Sequence, residues 1–64
     1  MDIYLPPSPK ELADMVDLAG GQRRAAAAIG INPRTIRKWV AGDRRPRLSN
    51  VIALQVAMTQ ESAR

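Results

Sequence analysis

A helix stop and a helix start stand two residues apart in the middle of this chain, and together they leave few folds open. In the stretch QRRAAAAIGINPRTIRKWVAG, Gln22 to Gly42, four alanines and Ile29 run into Gly30. Glycine ends helices because it adopts the left-handed backbone conformation at little steric cost. Asn32-Pro33 then restarts a helix, with asparagine as cap and proline at the first helical position. The spacing predicts helices over 22–29 and 33–41, joined by a turn centred on Gly30 with Ile31 as its buried residue. Stepping about 100° per residue, Ile36, Trp39 and Val40 gather on one face of the second of these helices. Arg34, Arg37, Lys38 and Ala41 fall on the opposite face. In the helix before it, Ala25, Ala26 and Ile29 share a face, with Arg23, Arg24 and Ala27 opposite. Ala27 and Ala28 point outward, where alanine supplies helix propensity and no bulk. Only a residue as small as Ala26 lets two short helices cross closely, as a helix-turn-helix requires. On that reading the alanine run is scaffold.

The flanks add two more helices. Ser8-Pro9-Lys10-Glu11 is a capping-box start, and Leu12, Met15, Val16 and Leu18 or Ala19 follow at helical spacing until Gly20-Gly21. Before it, Pro6 and Pro7 disfavour helix, so residues 1–7 are expected as an extended arm. Asp43 to Arg47 reads as a basic loop held by Pro46. A last helix is expected over about 49–60, capped by Ser49 or Asn50 and apolar nearly all round. Val51, Leu54 and Met58 share one side, Ile52 and Val56 another, and Ala53 and Ala57 most of the rest. A helix of that kind needs cover on both sides. A domain this small covers one, so Ile52, Val56 and Ala53 are expected at a dimer interface. The fold class is therefore all-α, a compact domain of four helices or five, with residues 8–64 forming one unit.

Composition narrows the chemistry. Sixty-four residues bury only about 60% of their unfolded surface, and such a core rarely supplies more than roughly 3–5 kcal/mol. There is no cysteine and no histidine. That removes disulfides and structural zinc as supports, and it removes the usual nucleophiles and bases. The remaining hydroxyls, Ser8, Ser49, Ser62, Thr35 and Thr59, have no base beside them, so no enzyme, cofactor or metal is expected. The N-terminus lacks the pattern of a signal peptide, and no segment approaches the ~20 apolar residues of a membrane span. A cytoplasmic protein, with no small-molecule ligand, is expected.

Charge points to the partner. The net charge is +4, but Gln22 to Arg47 holds eight cations against one acid, Asp43, for +7. Lys10 and Arg64 are outweighed elsewhere by Asp2, Glu11, Asp14, Asp17 and Glu61. A molecule polarised in this way suits a polyanion. Aromatics are scarce, Tyr4 and Trp39 only, which disfavours RNA because base stacking needs them.

Gln22 to Gly42 resembles the Cro/C1-type (XRE-like, lambda-repressor-like) helix-turn-helix, whose pattern is Q-x-x-h-A-x-x-h-G-h-x-x-x-x-h-x-x-W followed by glycine. Gln22, Ala26, Gly30, Ile31, Ile36, Trp39 and Gly42 all fall in place. The resemblance extends over about Glu11 to Met58. "QRRAA" and the tail "RRPRLSNVIALQVA" look in particular like small phage and mobile-element regulators of the anti-CRISPR-associated kind. The resemblance implies a DNA-binding repressor whose third helix enters the major groove, at the nucleoid of a bacterial or phage-infected cell. It places Arg34 and Lys38 at bases, with Arg37 divided between base and phosphate. Gln22 would position the backbone at a helix N-terminus, with Arg23, Arg24, Asn32, Thr35, Arg44, Arg45 and Arg47 as further phosphate contacts. For Asn32 the cap role competes. The family often has glutamine beside the base-reading site. Pro33 has no donor there, which shifts weight onto Arg34 and toward guanine. A homodimer on an inverted-repeat operator, blocking polymerase, is the expected mode. An excisionase-like architectural factor and an antitoxin-like interaction module remain the alternatives.

Overall fold

The computed structural model describes residues 3–63, so Met1 and Asp2 of the expected arm, and Arg64, lie outside the described residues. Four helices and no strand make up the described residues: α1 (Pro9–Leu18), α2 (Gln22–Ile29), α3 (Pro33–Ala41) and α4 (Leu48–Ser62). The all-α expectation holds, with four helices.

The first three helices begin and end where their caps place them. Ser8 accepts from the Glu11 backbone N–H at 3.1 Å, and the Glu11 carboxylate accepts from the Ser8 N–H in return. Both halves of the capping box are therefore made. α2 stops at Gly30, whose φ of 76° is left-handed. A side chain there would be strained whatever the space around it. Asn32 caps α3, its side-chain oxygen accepting from the Arg34 N–H at 2.9 Å. Trp39 and Ile36 pack into a core with Leu12, Val16, Ala19, Ala25, Ala26, Leu54 and Ala57.

α1 packs on both α3 and α4, and α2 does the same. Among the described residues α3 and α4 make no comparable approach to each other. The α1–α2 pair therefore forms a central layer, with α3 on one side and α4 on the other. Ala25 and Ala26 are fully buried where α2 meets this core, while Ala27 and Ala28 are exposed. Two methyl-sized residues let α2 share one close-packed core with Ile36 and Trp39.

Of the two residues that helical spacing leaves open at the end of the α1 stripe, Ala19 is buried and Leu18 is exposed. Several expectations need correction. Ile31 is half-buried, not buried. α4 starts at Leu48 with Arg47 in the cap position and no side-chain cap. Ser49 and Asn50 lie inside its first turn, because the Asn50 and Val51 N–H groups already donate to the Arg47 carbonyl. At the other end α4 runs through Ser62. No glycine or proline follows to stop it, and the Thr59 hydroxyl turns inward to the Gln55 carbonyl at 3.1 Å. On α4, Val51, Leu54 and Ala57 are buried, and Met58 is half-buried against the core.

Replacing Ala26 with leucine forces extra methylenes into the α2–α3 contact and should cost about 1–3 kcal/mol. In a domain of this length each 1 kcal/mol lowers the melting midpoint by roughly 4–8 °C, which thermal unfolding followed by circular dichroism reads directly. An unchanged midpoint would show that the helix crossing does not depend on a small residue.

Candidate nucleic-acid interface

α3 carries the cationic face. Its N-terminal start is fixed by the Asn32 cap and Pro33, and its rear is anchored by Ile36 and Trp39, both essentially inaccessible. With that face held, Arg34, Arg37 and Lys38 have only solvent to face, and all three are exposed. Together with Ala41 and Asp43 they line one shallow depression on the molecular surface. Three cationic side chains on one helix face thus line the same concavity, together with one alanine and one acid. Asp43 was not anticipated there. Its backbone N–H donates to the Lys38 carbonyl at 2.9 Å, because left-handed Gly42 reverses the chain at the end of α3.

The N-terminus of α2 offers a second element. Gly21 precedes it and supplies no side-chain cap. The first N–H groups of α2 therefore lack a side-chain acceptor, the arrangement that attracts phosphate oxygens to helix starts. Gln22 and Arg23 stand there, exposed.

Arg24 is placed differently. Its side chain folds over Gly20, where an added Cβ would come within 2.6 Å of the Arg24 Cδ. Its Nε lies 3.3 Å from the Glu61 carboxylate on α4. The structure therefore sets Arg24 toward α4 and leaves Arg23 on the open surface. An ion pair this exposed is weakly held, yet it gives Arg24 a partner other than a phosphate. No local signal marks this pair, since Glu61 is distant in sequence.

The remaining cations divide as well. Arg44 and Arg45 line a cleft with Pro6, Pro7, Ser8, Pro9, Leu12, Trp39 and Gly42, so the loop they occupy is backed by the N-terminal arm. Arg47 is exposed in the cap position of α4. Asn32 is committed to its cap through Oδ1, and Thr35 is half-buried on α3. The hydroxyl of Tyr4 donates to the Pro46 carbonyl at 2.8 Å, a contact spanning 42 residues of sequence. Tyr4 thus pins the arm to the basic loop, a role that periodicity does not reveal. Among the described residues no group of three or more acids gathers to hold a metal, and no helix is long and apolar enough to cross a membrane.

The cap is the local device that aims α3. Asn32→Ala should destabilise the domain by about 1 kcal/mol, measured as a lower midpoint in thermal unfolding. Asn32→Asp, which keeps the acceptor, should leave the midpoint close to that of the parent chain.

The helix-turn-helix family model matches residues 22–59, which takes in α2, the turn, α3 and most of α4. No curated protein and no solved structure matches the chain. A short helix beside an α3 that is buried behind and cationic in front, within a match covering more than half of the residues, gives the family: this chain belongs to the Cro/C1-type helix-turn-helix family of DNA-binding transcriptional regulators.

Proposed function

We propose that this protein is a sequence-specific repressor that binds an inverted-repeat operator as a homodimer and silences a promoter by occluding RNA polymerase. The observation that carries this proposal is the convergence of Arg34, Arg37 and Lys38 on one open depression of a helix whose rear is sealed in the core. A helix held in that way enters the major groove as a rigid body, with its N-terminal half toward the bases. Arg34 reads guanine through O6 and N7, and Lys38, one turn on, reads an acceptor in the same groove. Arg37 serves base or phosphate.

Gln22 and Arg23 hold phosphate at the open start of α2. Arg44, Arg45 and Arg47 reach the far strand from the loop, with Asn32 and Thr35 as lesser contacts. Arg24 reaches phosphate only by releasing Glu61, so Arg23 carries more of the contact at this corner. With about six to eight phosphates engaged, the logarithm of affinity should fall against that of salt with a slope of about −5 to −7.

One module gives little specificity, and the duplex itself is two-fold symmetric. Ile52 and Val56 on α4 are each 51% exposed, with half-buried Ala53 beside them. They form the face on which two copies meet, and the two α3 helices then address grooves about 34 Å apart. The likeness to anti-CRISPR-associated regulators favours autorepression of a phage or mobile-element operon, at the bacterial nucleoid.

Arg34→Ala should reduce discrimination between operator and unrelated duplex by about 1–3 kcal/mol while leaving weak, salt-sensitive binding. A competition gel shift measures this, and unaltered discrimination would remove Arg34 from the bases. Arg23→Ala should weaken binding to all sequences alike and lower the salt slope by about 0.9. A salt titration that instead revealed a new preferred site would contradict its phosphate role.

A further inference from the structure

We infer that the N-terminal arm is part of the homodimer interface, with Ile3 and Leu5 of each protomer packing against the second copy beside its α4. This rests on the homodimer proposed above. Tyr4 is turned onto the loop, its hydroxyl 2.8 Å from the Pro46 carbonyl. The side chains on either side of Tyr4 do not follow it onto the loop, as their exposures show: Ile3 and Leu5 are 79% and 80% exposed. The arm is held at Tyr4 and, beyond Leu5, at Pro6 and Pro7. Pro6 and Pro7 are half-buried in the cleft that Leu12, Trp39 and Gly42 also line. A segment fixed in place while presenting two large apolar side chains to solvent has already met much of its ordering cost, and preorganised surfaces of this kind bind with less entropic loss.

Pro46, which receives Tyr4, lies two residues before Leu48. Leu48 opens the exposed stripe of α4 that continues at helical spacing through Ile52 and Val56. Among the described residues, every exposed large apolar side chain except Leu18 belongs to the arm or to this stripe.

Charge selects the occupant. Residues 48–60 contain no charged side chain, and neither do residues 3–9. DNA is a poor partner for an arm without a cation. Two copies of a molecule with net charge +4 repel least across an uncharged surface, and α4 lies on the side of the α1–α2 layer away from α3. A second copy seated there leaves the α3 face open, while the arm shares its cleft with Arg44 and Arg45. Because a two-fold contact presents the same patch from both sides, each added apolar residue counts twice.

The test is sedimentation equilibrium of the full chain, comparing the parent with three variants: Ile3→Asp combined with Leu5→Asp, Tyr4→Phe, and Ile52→Glu. The double arm variant should raise the dimer dissociation constant about tenfold or more, with helicity and binding to a single half-site duplex unchanged. Tyr4→Phe, which frees the arm and adds no charge, should raise it less, and it decides the matter if the double variant loses helicity. If Ile52→Glu is monomeric while the arm variants dimerise as tightly as the parent, the arm lies outside the interface and the homodimer stands. If the parent is monomeric, or Ile52→Glu still dimerises, the α4 homodimer itself fails, and the arm inference with it.

Discussion

The close approach of α2 to α3 determines the rest of the molecule. Ala25 and Ala26 present only methyl groups where Ile36 and Trp39 pack, so the two helices share a seam without displacing either. Once Trp39 and Ile36 are sealed behind, the geometry of an α-helix puts Arg34, Arg37 and Lys38 on the opposite side. The cationic face is thus a consequence of the core, and its rigidity comes from apolar packing, not from bonds among the charges. The ion pair of Arg24 with Glu61 lies on the α4 side.

The layering would keep apart the two tasks proposed for α3 and α4, which interfere if they share a surface. A DNA-reading helix needs cations and open water, and an association helix needs neutral apolar side chains. With α1 and α2 between them, α3 and α4 do not crowd each other. The charge distribution follows the same division: the cations concentrate between Gln22 and Arg47, and none occurs from Leu48 to Gln60. A core of so few large side chains, Leu12, Val16, Ile36 and Leu54 among the most buried, gives a modest stability margin. Association through α4 and the arm would add to it by mass action, coupling the folded state to the dimer.

Much of this was legible in the sequence because the governing signals are local. Ser8 with Glu11, Gly30, Asn32 with Pro33, and Gly42 act within four residues of themselves, and each helix end they mark is where the structure has it. α4 has no such signal at either end. Its cap position is Arg47, chosen by the extended backbone after Pro46 and not by a side-chain acceptor, and nothing after Thr59 forbids another turn. The choice of Ala19 over Leu18 is settled by how α1 sits on its neighbours, which periodicity leaves open by one residue. The candidate site divides in the same manner. The convergence of Arg34, Arg37 and Lys38 follows from helical spacing. Arg24 meeting Glu61, and Tyr4 meeting Pro46, depend on elements brought together only by folding.

Guanine readout from the major groove by α3, as proposed, has a chemical signature. Methylation interference on a duplex selected from random sequence tests it most directly, because dimethyl sulfate marks guanine N7 in the major groove and adenine N3 in the minor groove. Methylated guanine N7 should block binding at symmetric positions in two half-sites about one helical turn apart. Interference confined to adenine N3, or absent from guanine, would contradict it.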